Sequence, residues 1–336
     1  MDSLTHIVLG ACIGEATAGK SLGKRAMLLG AFAQTVPDLD FIAHFWLDKT
    51  DDIFSHRGLT HSFPFVFLVT LLLAEASKWI FPTRPVTRVR WWLLFGVNLF
   101  THIFIDSFNA YGTGWLEPFS DARFSFHVLF VADPFFSLWP FIAFIFLLVT
   151  HTSHYKRKLA WVGGIGCSAL YLIYAISSKV AVDSDVRKSL KAQGIGTEEY
   201  FLTPTPLNSW LWFIVAKDSN GYYVSYRSVF DRRSTIPFRY FPQNDSLLAH
   251  VQDQEEVEDL VRFAHDYYTV EKWNDTLVFN VLRFGQVVGW HDPAGKFSFH
   301  YFLDRPGANE VVTQRGRLQG WNRESFRSFV RRIKGE

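Results

Sequence analysis

The chain has 336 residues, a formal net charge of +2 and only two cysteines; hydrophobic residues make up 49%, aromatics 17% and charged residues 20%. That length is enough for two domains. The balanced charge, with no long basic run, excludes a nucleic-acid footprint, and Cys12 and Cys167, each in an apolar segment, make no disulfide framework or redox motif.

The averages conceal a division. Up to about residue 178 the chain is apolar and poor in charge, and beyond it the composition is ordinary. This predicts a membrane domain over 1–178 and a soluble domain over 179–336. The start is not a cleavable signal, because Asp2 stands where a basic region would be and a motif histidine follows at position 6.

In chain order, residues 4–18 and 26–36 are short apolar runs, the first capped by Asp2 or Ser3 and the second ended by Pro37. A bilayer core of about 30 Å needs roughly 20 residues, so both are short. Residues 63–82, 91–108, 134–151 and 159–178 read as four further segments, with Ser62 and Asp133 placed as caps and Pro64 and Pro134 in first turns. The expected fold is therefore mainly α: a polytopic helical membrane domain of about six segments, two of them short, followed by a small α+β domain.

Lys20, Lys24 and Arg25, then Arg84, Arg88 and Arg90, then Lys156, Arg157 and Lys158 mark alternate loops. By the positive-inside rule these are cytoplasmic. The expected location is the cell's inner membrane, multi-pass, with the 37–62 and 109–133 loops and the C-terminal domain outside the cytoplasm. His6, Asp38, Asp40, His56, His61, His102, Asp106 and Asp133 then share the outer side, whereas His151 and His154 fall on the other.

The soluble half opens with Leu211–Ala216 and Tyr222–Val229 around Asp218-Ser219-Asn220-Gly221, a β-hairpin pattern. Residues 253–268 have helical spacing, Thr276–Trp290 and Lys296–Leu303 read as strands, and 322–333 read as a terminal basic helix.

Histidine and carboxylate hold divalent ions in hydrolytic sites. His102 and Asp106 lie one turn apart on one helix face. A polar couple inside a membrane bundle is the plainer account of them, but ionisable groups there are costly and usually functional. His56 and His61 flank a turn containing Arg57, Gly58 and Thr60. Asp38 and Asp40 follow Pro37, where aspartate is common in turns; one suits a metal, and the other suits orienting a histidine or acting as general base. The reading assigns His6, Asp38, His56, His61, His102 and Asp106 to metal, and Asp40 and Arg57 to catalysis, Arg57 by neutralising a phosphate oxygen. Capping explains Asp133 fully, and Asp121, Asn109 and His127 need no role at the site. Glu15 and Glu75 lie in helices away from it, and Cys12 is packing.

No nucleophile elbow or phosphate-binding loop appears, so the economical nucleophile is a metal-activated water. Ligands of His and Asp without Cys suit zinc, with manganese or iron as alternatives.

The stretches Asp2–His6, Pro37–Asp40, His56–Ser62, His102–Asp106, Asn109–Thr113 and Pro118–Ser120 occur in this order. Together they resemble the inner-membrane metal-dependent hydrolase family of bacteria, whose founding member is a LexA-regulated membrane protein. The resemblance covers roughly residues 1–150. That family is similar, more remotely, to zinc-dependent phospholipase C and the single-strand-specific nucleases, which implies phosphoester hydrolysis. Carried over, His102 and Asp106 match the His-x-x-x-Asp ligand pair best, and His56 with one of Asp38 and Asp40 are further ligands. A second such pair has no counterpart here, and residues 179–336 carry no resemblance.

The expected function is metal-dependent hydrolysis of a phosphoester, with membrane lipids around the protein, a lipid-linked substrate within reach, and no nucleic-acid partner. The alternative is a non-catalytic membrane protein with a structural metal and a partner-binding C-terminal domain. A metal transporter fits less well, because the histidines gather at one face and do not line a path across the bilayer.

Overall fold

A computed structural model describes residues 1–40, 57–83, 85–197, 199–233, 235–303 and 321–336. It divides into one unit of Met1–Tyr174 with Pro206–Asn208, and a second of Ala175–Thr205 with Ser209–Glu336.

The first unit begins with helix α1 (Ser3–Leu22), capped by the Asp2 carboxylate, which accepts from Thr5 N at 3.0 Å. Gly23 has φ of +60°, a conformation that glycine reaches without strain, and α2 (Lys24–Thr35) returns at once along α1. The two backbones touch through glycine. A Cβ on Gly30 would lie 2.1 Å from the Gly10 carbonyl oxygen, and one on Gly14 would lie 2.1 Å from that of Ala26. Helices α3 (Phe63–Ile80) and α4 (Arg88–Asp106) follow, then α5 (Pro134–Val149) and α6 (Arg157–Ala192). Ser62 caps α3 and Asp133 caps α5, as their positions indicate. Ala18, Leu22, Ala26, Ala33, Ala74, Trp91, Leu94 and Phe95 form a core shared by α1 to α4.

The expectation of six membrane segments is overturned. About 52% of the chain is helix and 17% strand, in two sheets. Among the described residues only α3 and α6 are long and apolar enough to cross a membrane; α5, at 16 residues, is apolar but shorter. Hydropathy alone could not separate lipid-facing helices from core helices. In α1 the residues from Val8 to Gly14 are all buried, packed on α2 and their neighbours. Helix α2 has only 12 residues. Helix α4 begins Arg88-Val89-Arg90 and buries Asn98, His102 and Asp106. By contrast only 17% of the apolar window of α3 and of α6 is buried.

One cation used to orient the chain also changes role. Arg157 is not a loop charge: it is 4% exposed and holds Glu15 in a two-point ion pair, at 2.8 Å from Nε and 2.7 Å from Nη2. Its Nη1 donates to the carbonyls of Leu147 (2.6 Å) and Thr150 (3.1 Å). A desolvated arginine satisfied in this way ties α6 to α1 and says nothing about which side of a membrane it faces. Arg84 lies outside the described residues.

The boundary between the units falls inside α6, which continues unbroken to Ala192. The second unit has an antiparallel sheet ordered β1 (Tyr200–Pro204), β2 (Leu211–Asp218), β3 (Gly221–Ser228), β4 (Arg239–Pro242). The β2–β3 hairpin turns at Ser219-Asn220, pairing Asp218 with Gly221. β2 is apolar from Leu211 to Ala216 because both its faces are covered there. Trp212, Ile214 and Ala216 pack with Val182, Val186 and Leu190 of α6, whereas Phe213 and Val215 pack with Leu282 and Phe297. Helix α7 (Gln254–Ala264) precedes a second antiparallel sheet, β5 (Tyr268–Trp273), β6 (Thr276–Gln286), β7 (Phe297–Phe302). Helix α8 (Arg323–Ile333) closes the chain, docked by Phe329 on Leu211 and Trp290.

The glycine contact between α1 and α2 yields a test. Gly30→Leu is expected to force the helices apart at a cost of about 1–3 kcal/mol, as overpacking does. Thermal unfolding in detergent reads this as a lowered midpoint, while Gly163→Leu, where nothing lies within 4 Å of a Cβ, should leave it unchanged.

Candidate metal centre

Three chain segments of the first unit meet at one point. Helix α2 ends at Thr35, and the short turn after Pro37 carries Asp38 and Asp40. A 3-10 turn, Leu59–His61, carries His61 immediately before α3. Helix α4 carries His102 and, one turn on, its last residue Asp106. His61, His102 and Asp106 are fully buried.

One donor atom from each of Asp38, His61, His102 and Asp106 lies within 4.8 Å of all the others. The two histidine Nε2 atoms are 3.1 Å apart. Asp38 Oδ1 stands 3.6 Å from His61 Nε2 and 3.4 Å from His102 Nε2. Asp106 Oδ2 stands 3.5 and 3.9 Å from the same two atoms. Four ligands at about 2.0–2.1 Å from one tetrahedral ion would be about 3.3 Å apart. The spacing fits.

The protonation pattern fits as well. His102 Nδ1 lies 2.5 Å from the backbone oxygen of Gln34, which can only accept, so Nδ1 carries the proton and Nε2 presents a lone pair. That oxygen is among the last four of α2, which have no partner within their own helix. His61 Nδ1 lies 3.0 Å from Thr60 Oγ1, whose hydroxyl donates to Asp40 Oδ2 at 3.3 Å, so its Nε2 also presents a lone pair. Burial pushes the His61 imidazole down to about 3, against the opposing Asp38 carboxylate, so it is neutral at physiological pH. Among the described residues, Asp106 Oδ2 is buried without a hydrogen bond and faces Arg57 Nε at 3.2 Å. Four acceptors therefore converge on one buried point with no proton between them, the arrangement a cation completes.

The surrounding residues fix this group. Arg57 has φ of +65°, a strained conformation for a side chain of its size. It is held there by Asp40 Oδ2, which accepts from its backbone N at 2.8 Å, and by its own carbonyl, which accepts from Gly114 N at 2.9 Å. Its Nε is 3.2 Å from Asp106 Oδ2, its Nη1 donates to Asn109 Oδ1 at 2.8 Å, and the guanidinium sits 5.1 Å from the Tyr111 ring centre. Burial pushes Arg57 down to about 10, which leaves it charged. On the far side of Asp106, His6 Nε2 is 3.1 Å from Oδ1, the Met1 amine also contacts Oδ1, and the His6 ring stacks 3.8 Å from that of His102.

Of the residues singled out from the sequence, Asp38, His61, His102 and Asp106 form the group itself. His6 adjoins it through Asp106, Asp40 stands behind His61, and Arg57 lies against Asp106. His56 lies outside the described residues. Asp133 accepts from Phe135 N, Phe136 N and the Tyr171 hydroxyl, and it is not part of the group. Sequence reasoning missed Gln34, fully buried, which holds His102 through its carbonyl and lies 3.1 Å from His6 Nδ1 through its side chain. A lone glutamine ending the apolar run Leu28–Ala33 was the available signal.

Fold and site together define a protein with a helical unit, two helices long and apolar enough to cross a membrane, and a buried His/Asp group shaped for a metal ion. The chain belongs to the YdjM inner membrane protein family, whose model matches residues 1–182, so it is an inner-membrane protein, and the matched stretch includes every residue of the site. It is 33% identical over 123 residues to inner membrane protein YbcI of Escherichia coli K12, covering 36% of this chain and 69% of that one. It is 28% identical over 181 residues to the uncharacterized protein YfhP of Bacillus subtilis 168, covering 47% of this chain and 54% of the relative. No solved structure matches.

Metal content tests the site. Wild-type protein is expected to retain a divalent metal by elemental analysis. His61→Ala and His102→Ala should lose it while keeping their helical circular dichroism. Thr60→Val, which removes the hydroxyl behind His61, should weaken affinity about tenfold, the effect of losing an outer-shell partner.

Proposed function

We propose that the protein is a membrane-bound, metal-dependent hydrolase acting on a phosphoester. The observation that carries this is the convergence of four proton-free acceptors, Asp38 Oδ1, His61 Nε2, His102 Nε2 and Asp106 Oδ2, beside the charged guanidinium of Arg57. Asp38, His61, His102 and Asp106 hold the ion, and zinc suits this ligand set best, with manganese or iron as alternatives. When bound, such an ion supplies a water acidic enough to act as a nucleophile near neutral pH.

The chain's own residues provide the rest. Arg57, fixed by Asn109 and Asp40, offers a guanidinium to an anionic oxygen of the substrate. Asp40 accepts from Arg57 N and Thr60 Oγ1, so it acts through His61 as a positioning residue and holds that ring's tautomer. His6 orients Asp106 from the opposite oxygen. The remote resemblance to zinc-dependent phospholipase C and single-strand nucleases supports a phosphoester as substrate class. A lipid-linked substrate suits a site carried next to the candidate span α3. The placement of Lys20, Lys24, Arg25, Arg88 and Arg90 supports an orientation with the site outside the cytoplasm.

Protein stripped with chelator and reloaded with zinc or manganese should release product from bis(p-nitrophenyl) phosphate or from phospholipid extract. Arg57→Ala is expected to lower kcat on the order of 10²-fold, as loss of one charge-stabilising donor does. His102→Ala should abolish turnover. If metal-loaded protein hydrolyses neither soluble diesters nor lipid, the hydrolase reading fails and the metal is structural.

A further inference from the structure

The last helix does something the metal site does not account for. Helix α8 (Arg323–Ile333) is pinned with one face inward: Phe329 is 4% exposed and packs on Trp290 and Leu211, and Ser325 is fully buried. Arg332 is also committed, to Asp231 at 2.5 and 2.8 Å and to the carbonyl of Tyr226 at 2.7 Å. This fixes which residues turn outward. They are Arg323, Phe326, Arg327, Val330, Arg331 and, just past the end, Lys334, all exposed. At 3.6 residues per turn they occupy an arc of about 140°.

Two properties set this arc apart. It carries four cations, with Glu324 at its margin the only acid within the helix. It also leaves large apolar side chains in water: Phe326 is 53% and Val330 36% exposed. The neighbouring loop adds to it. A Cβ on Gly335 would lie 2.5 Å from the Phe230 carbonyl oxygen, and Ser228 Oγ donates to the Ile333 carbonyl. That loop presents Phe230, 51% exposed, and the exposed Arg232.

We infer that the outward face of α8, with Phe230 and Arg232, docks on an anionic lipid surface. Charge complementarity commits the face to that occupant: cations interleaved with exposed aromatic and aliphatic side chains match a layer of phosphate headgroups above acyl chains. An acidic protein would satisfy the arginines but not two exposed phenylalanines. The chain is an inner-membrane protein, and the helix that opens the second unit also carries a candidate span, so such a surface is always at hand. The inference is independent of the metal site and of any hydrolysis there.

The full chain is assembled into nanodiscs of either phosphatidylcholine alone or phosphatidylcholine with about one third phosphatidylglycerol. Cys12 is buried and stays; Cys167→Ala removes the other thiol, and Phe326→Cys takes an environment-sensitive fluorophore. A second label position, Val330→Cys, guards against a local effect of the first. In phosphatidylglycerol discs, nitroxide-bearing lipids should quench the label at least twofold more than in phosphatidylcholine discs. The difference should vanish at about 1 M salt, where the screening length is about 3 Å. It should vanish too in Arg327→Glu/Arg331→Glu, both exposed residues. Equal quenching in the two lipids at every salt concentration would overturn the inference. So would a label that is shielded without lipid quenching, which would mean that protein covers the face, or one that responds to added RNA in place of lipid.

Discussion

The first unit is built around a repulsion. Two imidazole lone pairs and two carboxylate oxygens are held within 4.8 Å of one another, the contacts to the imidazoles at 3.1–3.9 Å, and all but Asp38 are fully buried. Neither histidine can relieve this by turning its proton inward. His102 Nδ1–H is claimed by an α2 carbonyl, and His61 Nδ1–H by the Thr60 hydroxyl, itself donating to Asp40. Desolvation makes such clustered acceptors expensive, so the packing around them must hold their positions. The glycine contact between α1 and α2 serves that end: it fixes how closely α2 lies against α1, and the last carbonyls of α2 set the His102 ring. The strained backbone of Arg57 serves it too, because the same Asp40 oxygen holds both Arg57 N and Thr60.

What the sequence made legible was local. His102 and Asp106 share a face because four residues make about one turn, and this needs no tertiary knowledge. Ser62, Asp133 and Asp2 read as caps from residue type and position, and the hairpin at Ser219-Asn220 reads from its turn residues. The number of membrane segments was not legible. Apolar runs over 4–18 and 91–108 read as membrane segments, the first a short one, yet much of α1 is buried among its neighbours and α4 carries charge and amide groups inward. Length and hydropathy report how apolar a helix is, not whether lipid or protein covers it. Arg157 was misleading for the same reason: a cation between two apolar runs looks like a loop charge until Glu15, 142 residues away in sequence, is found against it. At Gln34 the residue type was a signal, but its contact to His102 is made by a backbone oxygen that every residue type carries.

The charges around the centre bear on what it can hold. Asp38, Asp40 and Asp106 bring three negative charges, and Arg57 brings one positive. The histidines add none, His61 being pushed far down by burial. Burial also pushes the Met1 amine well below its ordinary value where it meets Asp106. The carboxylates outnumber the Arg57 guanidinium in a water-poor setting, where uncompensated charge is costly. A bound cation offsets that excess, a divalent one more fully than a monovalent one. With the excess cancelled, the Arg57 guanidinium is no longer outweighed by nearby carboxylates and can attract an external anion. The same balance opposes an anion at this site without a metal, so for the phosphoester substrate we propose, metal loading would come first.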